Sequence, residues 1–172
     1  MKFKKVHERA GYLGDAIFSA SDGIITTFAV VAGSAGASLT DSVVLILGFA
    51  NLLADGISMA SGNYLGAKSE QEYERARGDR QDSSSPAKHG VVTFIGFNLA
   101  GLLPLFPFLF NIEGKFGLSA IIVGVSLFAV GVLRSFFTRK NWLSSGFETF
   151  SIGGFAAFVA YAVGFLIDKY FI

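Results

Sequence analysis

The chain has 172 residues, 52% hydrophobic and 16% charged, with a net charge of +1, no cysteine and a mean hydropathy of +0.54. The charge is unevenly placed: there is no Lys or Arg between Arg9 and Lys68, and between His89 and Arg134 the charges are Glu113 and Lys115 alone. Helices with no charged face are not water-soluble ones, which excludes an ordinary soluble enzyme, a disordered chain and a nucleic-acid binder, while the missing cysteines exclude disulfides, thiolate metal sites and Fe–S clusters.

A hydrocarbon layer about 30 Å thick takes roughly 20 apolar residues of helix to cross. Five segments of that length are expected, giving an all-α polytopic membrane protein organised as a single transmembrane domain. The first span covers residues 11–35, after the basic start MKFKK; it carries Asp15 and Asp22 and runs too long for the core of a cleaved signal peptide. The second covers 42–67. Between Ser69 and His89 lies the one long hydrophilic stretch, whose first part extends the second helix before Gly78 and the SSSP run end it. It is too short to hold a core of its own.

The third span, 90–110, contains Pro104 and Pro107 in its outer part, as either a kink or a discontinuous helix beside a pathway. The fourth covers 118–137 and the fifth 149–171, with Glu148 expected at the start of that last helix, where an acid complements the dipole. His7 and His89 fall at the same membrane edge and read as interfacial residues, with proton or metal sensing as the alternative. Glycines expected at close helix contacts are Gly62 with Gly66, Gly124 with Gly131, and Gly153 with Gly154. Twelve of the fourteen basic residues lie in the N-terminal segment, in residues 68–89 and in residues 134–140 at the end of the fourth span, against Lys115 and Lys169 on the other side. Cytosolic flanks retain positive charge, so the N-terminus is expected in the cytosol.

An Asp in the middle of a membrane helix costs roughly 2.5–3.5 kcal/mol and so requires a partner, a cavity or a proton. Asp22 and Asp55 lie at about 18 and 20 Å from the cytosolic side on two helices of opposite direction, so they share a layer. Asp15, Ser19, Asp22 and Thr26 follow one face of the first helix, and Asn51, Asp55, Met59 and Asn63 one face of the second. Two such stripes without a basic residue suit cations. Carboxylates bind any hard divalent ion, whereas a thioether favours softer ones, so Asp22 with Met59 suggests Fe²⁺, or Mn²⁺, Co²⁺ or Zn²⁺. Taken alone, Met59 reads as filler more often than as ligand, and Asp15 reads equally as an interfacial acid at the helix start.

The runs SDGIITTFAVVAGSAGA and ADGISMASGNYLGAKSE, supported by FNLAGLLPLFPF and GGFAAFVAYAVG, resemble the vacuolar iron transporter family. The resemblance implies a five-helix protomer, a homodimer with a metal pathway lined chiefly by the first two helices at the dimer interface, and exchange of cytosolic divalent metal for protons. It makes Asp22 and Met59 the metal-binding pair, with Asp15 nearer the cytosolic entrance. Metal and proton competing for one carboxylate would supply the coupling. Two departures stand out. Members carry a Glu-rich cytosolic helical domain where this chain keeps only the short linker, so Glu70, Glu72 and Glu74 either perform a reduced capture or simply form a solvated helix. Asn51 stands where members have a glutamate, with Asp55 one turn along the same face. No resident cofactor is expected; the metal is cargo, and the bilayer is the medium, in an organelle or a prokaryotic inner membrane. Rival readings are a passive cation channel and a non-transporting scaffold or regulatory subunit. An enzyme is not expected, since no nucleophile with a nearby base is visible.

Overall fold

The computed structural model describes residues 2–78, 84–110 and 112–171, with side chains from Ala10 onward. Residues 79–83 of the linker, Arg80 among them, and the side chain of His7 lie outside the described residues. The elements in order are α1 (Lys2–Gly36), α2 (Asp41–Arg77), α3 (Pro86–Gly101), a 3₁₀ segment (Leu103–Leu109), α4 (Lys115–Thr138) and α5 (Trp142–Phe171). Four of the helices are long and apolar enough to cross a membrane. A fifth crossing results if α3 and the 3₁₀ segment, bent by 42° at their junction, are one span. The chain is therefore an all-α polytopic membrane protein.

The helix ends follow local chemistry. Gly78 adopts the left-handed conformation at φ 73° and its N–H closes α2 onto the carbonyls of Arg75 and Glu74. Pro86 opens α3 in the first turn, where its missing N–H costs nothing. At the other end of that span, Pro104 and Pro107 cannot continue an α-helical ladder. The chain tightens into a 3₁₀ segment, and the buried Ser119 hydroxyl donates to the Pro104 carbonyl at 2.7 Å. The proline-rich end is thus a kinked segment that buries Pro104, Leu105, Pro107 and Phe108 and leaves Leu103, Phe106 and Leu109 exposed. The start of α5 differs from expectation. Asn141 caps it, its side-chain oxygen accepting from Leu143 N at 2.9 Å and Ser144 N at 3.4 Å. Glu148 therefore sits in the second turn rather than at the start, and pairs with Arg134 at 3.4 Å.

Helix α1 occupies the centre, packed chiefly against α3 and α5, while α2 rests mainly on α3 and touches α1 far less. The apolar core runs through Ile24, Phe28 and Val31 of α1, Leu52 of α2, Phe97 of α3, Leu105 of the 3₁₀ segment and Leu127 of α4. In lipid no hydrophobic force draws helices together, so close packing of small residues carries the contacts. A Cβ at Gly23 would overlap the Phe97 carbonyl oxygen of α3; one at Gly164 would overlap the Gly33 carbonyl oxygen, and one at Gly131 that of Ser145. Gly62, Gly66 and Gly154 have nothing within 4 Å. The outer faces of α4 and α5, with Phe136, Phe147, Phe155 and Phe158 exposed, suit a lipid surround.

Candidate functional site

Polar side chains gather in two layers along α1, α2 and α3. The first lies at the end of the bundle from which the α2–α3 linker departs. There Asp15 of α1 meets His89, in the first turn of α3, through Oδ2 and Nδ1, and the Tyr12 ring lies 4.5 Å from the imidazole, centroid to centroid. Asn63 of α2 donates to the Thr93 hydroxyl at 2.6 Å, and Gln71 donates to the Ser84 carbonyl at 2.5 Å. Tyr12 receives the Ser85 N–H at 2.8 Å. These bonds hold the linker-end segments of α1, α2 and α3 around a cavity of about 400 Å³, lined in part by Asp15, Asn63, Glu70 and His89.

The second layer is deeper. Asp22 and Asp55 each lie fourteen residues from the Gly36 and Asp41 ends of their helices, which places both at about 21 Å from that end. The Thr26 hydroxyl donates to the Asp22 backbone carbonyl at 2.9 Å, so its proton is committed to the helix. Met59, partly buried, packs against the apolar core. Towards the Gly36 end, Asn51 and Asp55 line an open cavity of about 590 Å³ with Ser34, Val30 and Gly33 of α1. The Asn51 amide nitrogen is buried without a hydrogen-bond partner, as is the Thr27 hydroxyl. An orphaned polar atom beside a cavity is where a water or a passing ion is bound at least cost.

The stripes expected to face each other do so only in part. In the first layer α3 lies between them: Ser19 is fully buried where a Cβ at Gly96 would meet its hydroxyl, and Asn63 reaches Thr93. In the second layer α1 and α2 share the open cavity directly. Of the three linker-side acids, Glu70 lines the first cavity, whereas exposed Glu72 faces Lys68 at 3.9 Å and Glu74 is not a lining residue. Ser58, Gly62 and Gly66 are exposed on the outer face of α2. Among the described residues no three of His, Asp and Glu converge closely enough to cage a metal. His89 is the site residue that linear spacing missed, because its partner is 74 positions away; the signal available was that both fall at one membrane edge.

At the far end, Asp41 and Lys115 pair at 2.6 Å beside a cavity of about 570 Å³ that Glu113 also lines. An acid-bearing vestibule thus stands at each end of the helices that carry the mid-membrane carboxylates.

The family model described as the VIT family matches residues 13–84 and 78–165. The vacuolar iron transporter of Toxoplasma gondii is 28% identical over 226 aligned positions, covering 91% of this chain and 74% of that protein. Vacuolar iron transporter homolog 3 of Arabidopsis thaliana is 25% identical over 173 positions, covering 95% and 86%, and vacuolar iron transporter 1 of the same plant is 26% identical over 213 positions, covering 90% and 85%. An alignment of 226 positions exceeds the 172 residues of this chain, so the Toxoplasma protein carries sequence with no counterpart here. The two family-model matches meet at residues 78–84, within the linker.

Proposed function

The chain belongs to the VIT family, and from that membership we propose that it carries a divalent transition metal, Fe²⁺ or Mn²⁺, out of the cytosol in exchange for protons. It is an integral membrane protein of a transporter family, not an enzyme. The observation that carries the reading is the pair Asp22 and Asp55, at one depth in the membrane on two helices that touch. Two acids kept there serve a cation that needs them, since as packing they are expensive.

The chemistry follows from the residue types. Asp22 supplies a hard carboxylate and Met59 a polarizable thioether, a combination that admits Fe²⁺ and Mn²⁺ and disfavours Mg²⁺ and Ca²⁺. Asp55, with Asn51 a turn away in the shared cavity, continues the route toward the Gly36 end. A carboxylate holds either metal or proton, so arrival of protons from the far side releases the ion and the reset acid is ready to exchange again. The basic residues at the linker end support a cytosolic face there. The names of the relatives favour iron as cargo. The exposed α2 face around Ser58, Gly62 and Gly66, open to close approach, supports a homodimer whose second copy completes the pathway.

The test is metal-driven proton movement in liposomes holding the purified protein, with Fe²⁺ and Mn²⁺ compared. Coupled flux is expected in the natural sequence, lost in Asp22→Asn and altered in metal preference in Met59→Ala. Metal flux without proton movement would make the protein a channel. A well-folded preparation that moves no metal would refute transport.

A further inference from the structure

The cavity at the linker end has a composition that the mid-membrane acids do not account for. Its lining includes two carboxylates, Asp15 and Glu70, the imidazole of His89 and the amide of Asn63, with no Lys or Arg among the described residues. Asp15 and His89 side chains are only 17% and 12% exposed, so the pair is held in place rather than sampled at a surface. We propose that this cavity is a loading site for a hydrated divalent transition metal, in which His89 is a direct imidazole ligand and Asp15 the residue that positions it.

The geometry gives the roles. Asp15 Oδ2 meets Nδ1 of His89. With the proton on Nδ1, the lone pair of a neutral imidazole stays on Nε2, and a carboxylate behind the ring fixes that tautomer. Such a nitrogen suits Fe²⁺ and Zn²⁺ far better than Mg²⁺ or Ca²⁺. The ring is held on two sides, by Tyr12 at 4.5 Å and by Gly11, where a Cβ would come within 3.2 Å of Cε1. Asn63 commits an amide hydrogen to Thr93 and keeps its carbonyl oxygen as an acceptor.

Size and ligand number indicate how the site is used. Five waters take up about 150 Å³ at roughly 30 Å³ each, so a cavity of about 400 Å³ admits an ion that keeps most of its hydration shell and yields one position to His89. The lack of a three-ligand cage among the described residues keeps the ion exchangeable, as a loading site requires. The cavity lies about 10 Å, seven helical residues, short of Asp22 on the same face of α1. It also lies beside the linker where the family-model matches break, so it offers a capture point built from the membrane helices themselves.

This inference rests on the reading of the chain as a metal transporter, and its test separates the two. The full-length protein, purified without a histidine tag, would be loaded with one Mn²⁺ per protomer and examined by pulsed EPR for nitrogen coupling. His7 and His89 are the only histidines in the chain, so His7→Gln leaves His89 as the sole imidazole. Nitrogen coupling is expected in the natural sequence and in His7→Gln, and lost in His89→Gln, with Mn²⁺ affinity falling at least about tenfold. Asp15→Asn should keep the coupling and weaken affinity on a similar scale. Absence of coupling in His7→Gln, or its survival in His89→Gln, would overturn the proposal; should His89→Gln fail to fold, the His7→Gln result decides alone. Proton-coupled metal flux without nitrogen coupling would remove the loading site and leave transport standing, and coupling without flux would do the reverse.

Discussion

Replacing Gly23 by alanine tests whether α1 and α3 are held by backbone contact. The new Cβ would overlap the Phe97 carbonyl oxygen and lie 3.0 and 3.1 Å from the Phe97 carbonyl carbon and Cα, where ordinary contact is 3.4–4 Å. No rotamer change relieves a clash between a Cβ and backbone, so one helix must move. Alanine gains about 1 kcal/mol of helix propensity over glycine, while overpacking of this kind costs up to about 3 kcal/mol. The expected net loss is about 2 kcal/mol, a fall of roughly 4–8 °C in Tm for a chain of this size. Gly154→Ala is the control, because nothing lies within 4 Å of that position and the propensity gain acts alone. Thermal unfolding in detergent, followed by the Trp142 fluorescence, would compare the two. A Gly23→Ala protein as stable as Gly154→Ala would refute backbone-limited packing of α1 on α3.

Two further substitutions probe other parts of the molecule. Ser119→Ala removes the fully buried hydroxyl that satisfies the Pro104 carbonyl and should destabilise by about 1–3 kcal/mol; an unchanged melting temperature would mean that the carbonyl finds another partner. Asn51→Asp places a carboxylate one turn from Asp55 in the shared cavity and should tighten Mn²⁺ binding about threefold or more, as added ligand charge does. Calorimetric titration that shows no gain would take Asn51 out of the ion's path.

The five-helix architecture was readable because the membrane imposes it: charge-free runs of about twenty residues have few other solutions. The common layer of Asp22 and Asp55 was equally accessible, since it needs only helical rise and opposite direction. What escaped was the identity of the neighbours. Asp15 and Ser19 share a face with Asp22, yet α3, not α2, supplies their partners in His89 and Gly96. A helical face can be derived from spacing, but which helix covers it depends on small-residue fit along the whole bundle. The same reason explains the glycines. Gly62 and Gly66 form the more conspicuous pair in sequence and are open, whereas the tight contact belongs to Gly23, inside the SDG motif where a functional acid draws attention away from it. Glu148 was misplaced at the start of α5 because hydropathy marks where a helix becomes apolar, while Asn141 marks where its backbone begins.

The glycine notches of α3 also decide how that helix can move. Gly96 and Gly101 let it press against α1, and Gly90 against the Ala60 carbonyl of α2 at a would-be Cβ distance of 2.9 Å. A turn by one residue, about 100°, would swing Ile95 or Phe97 into the gap that Gly96 leaves against α1. Rotation is therefore barred on both flanks, and this fixes where α3 holds His89 at one end of the bundle and the proline-bent 3₁₀ segment at the other.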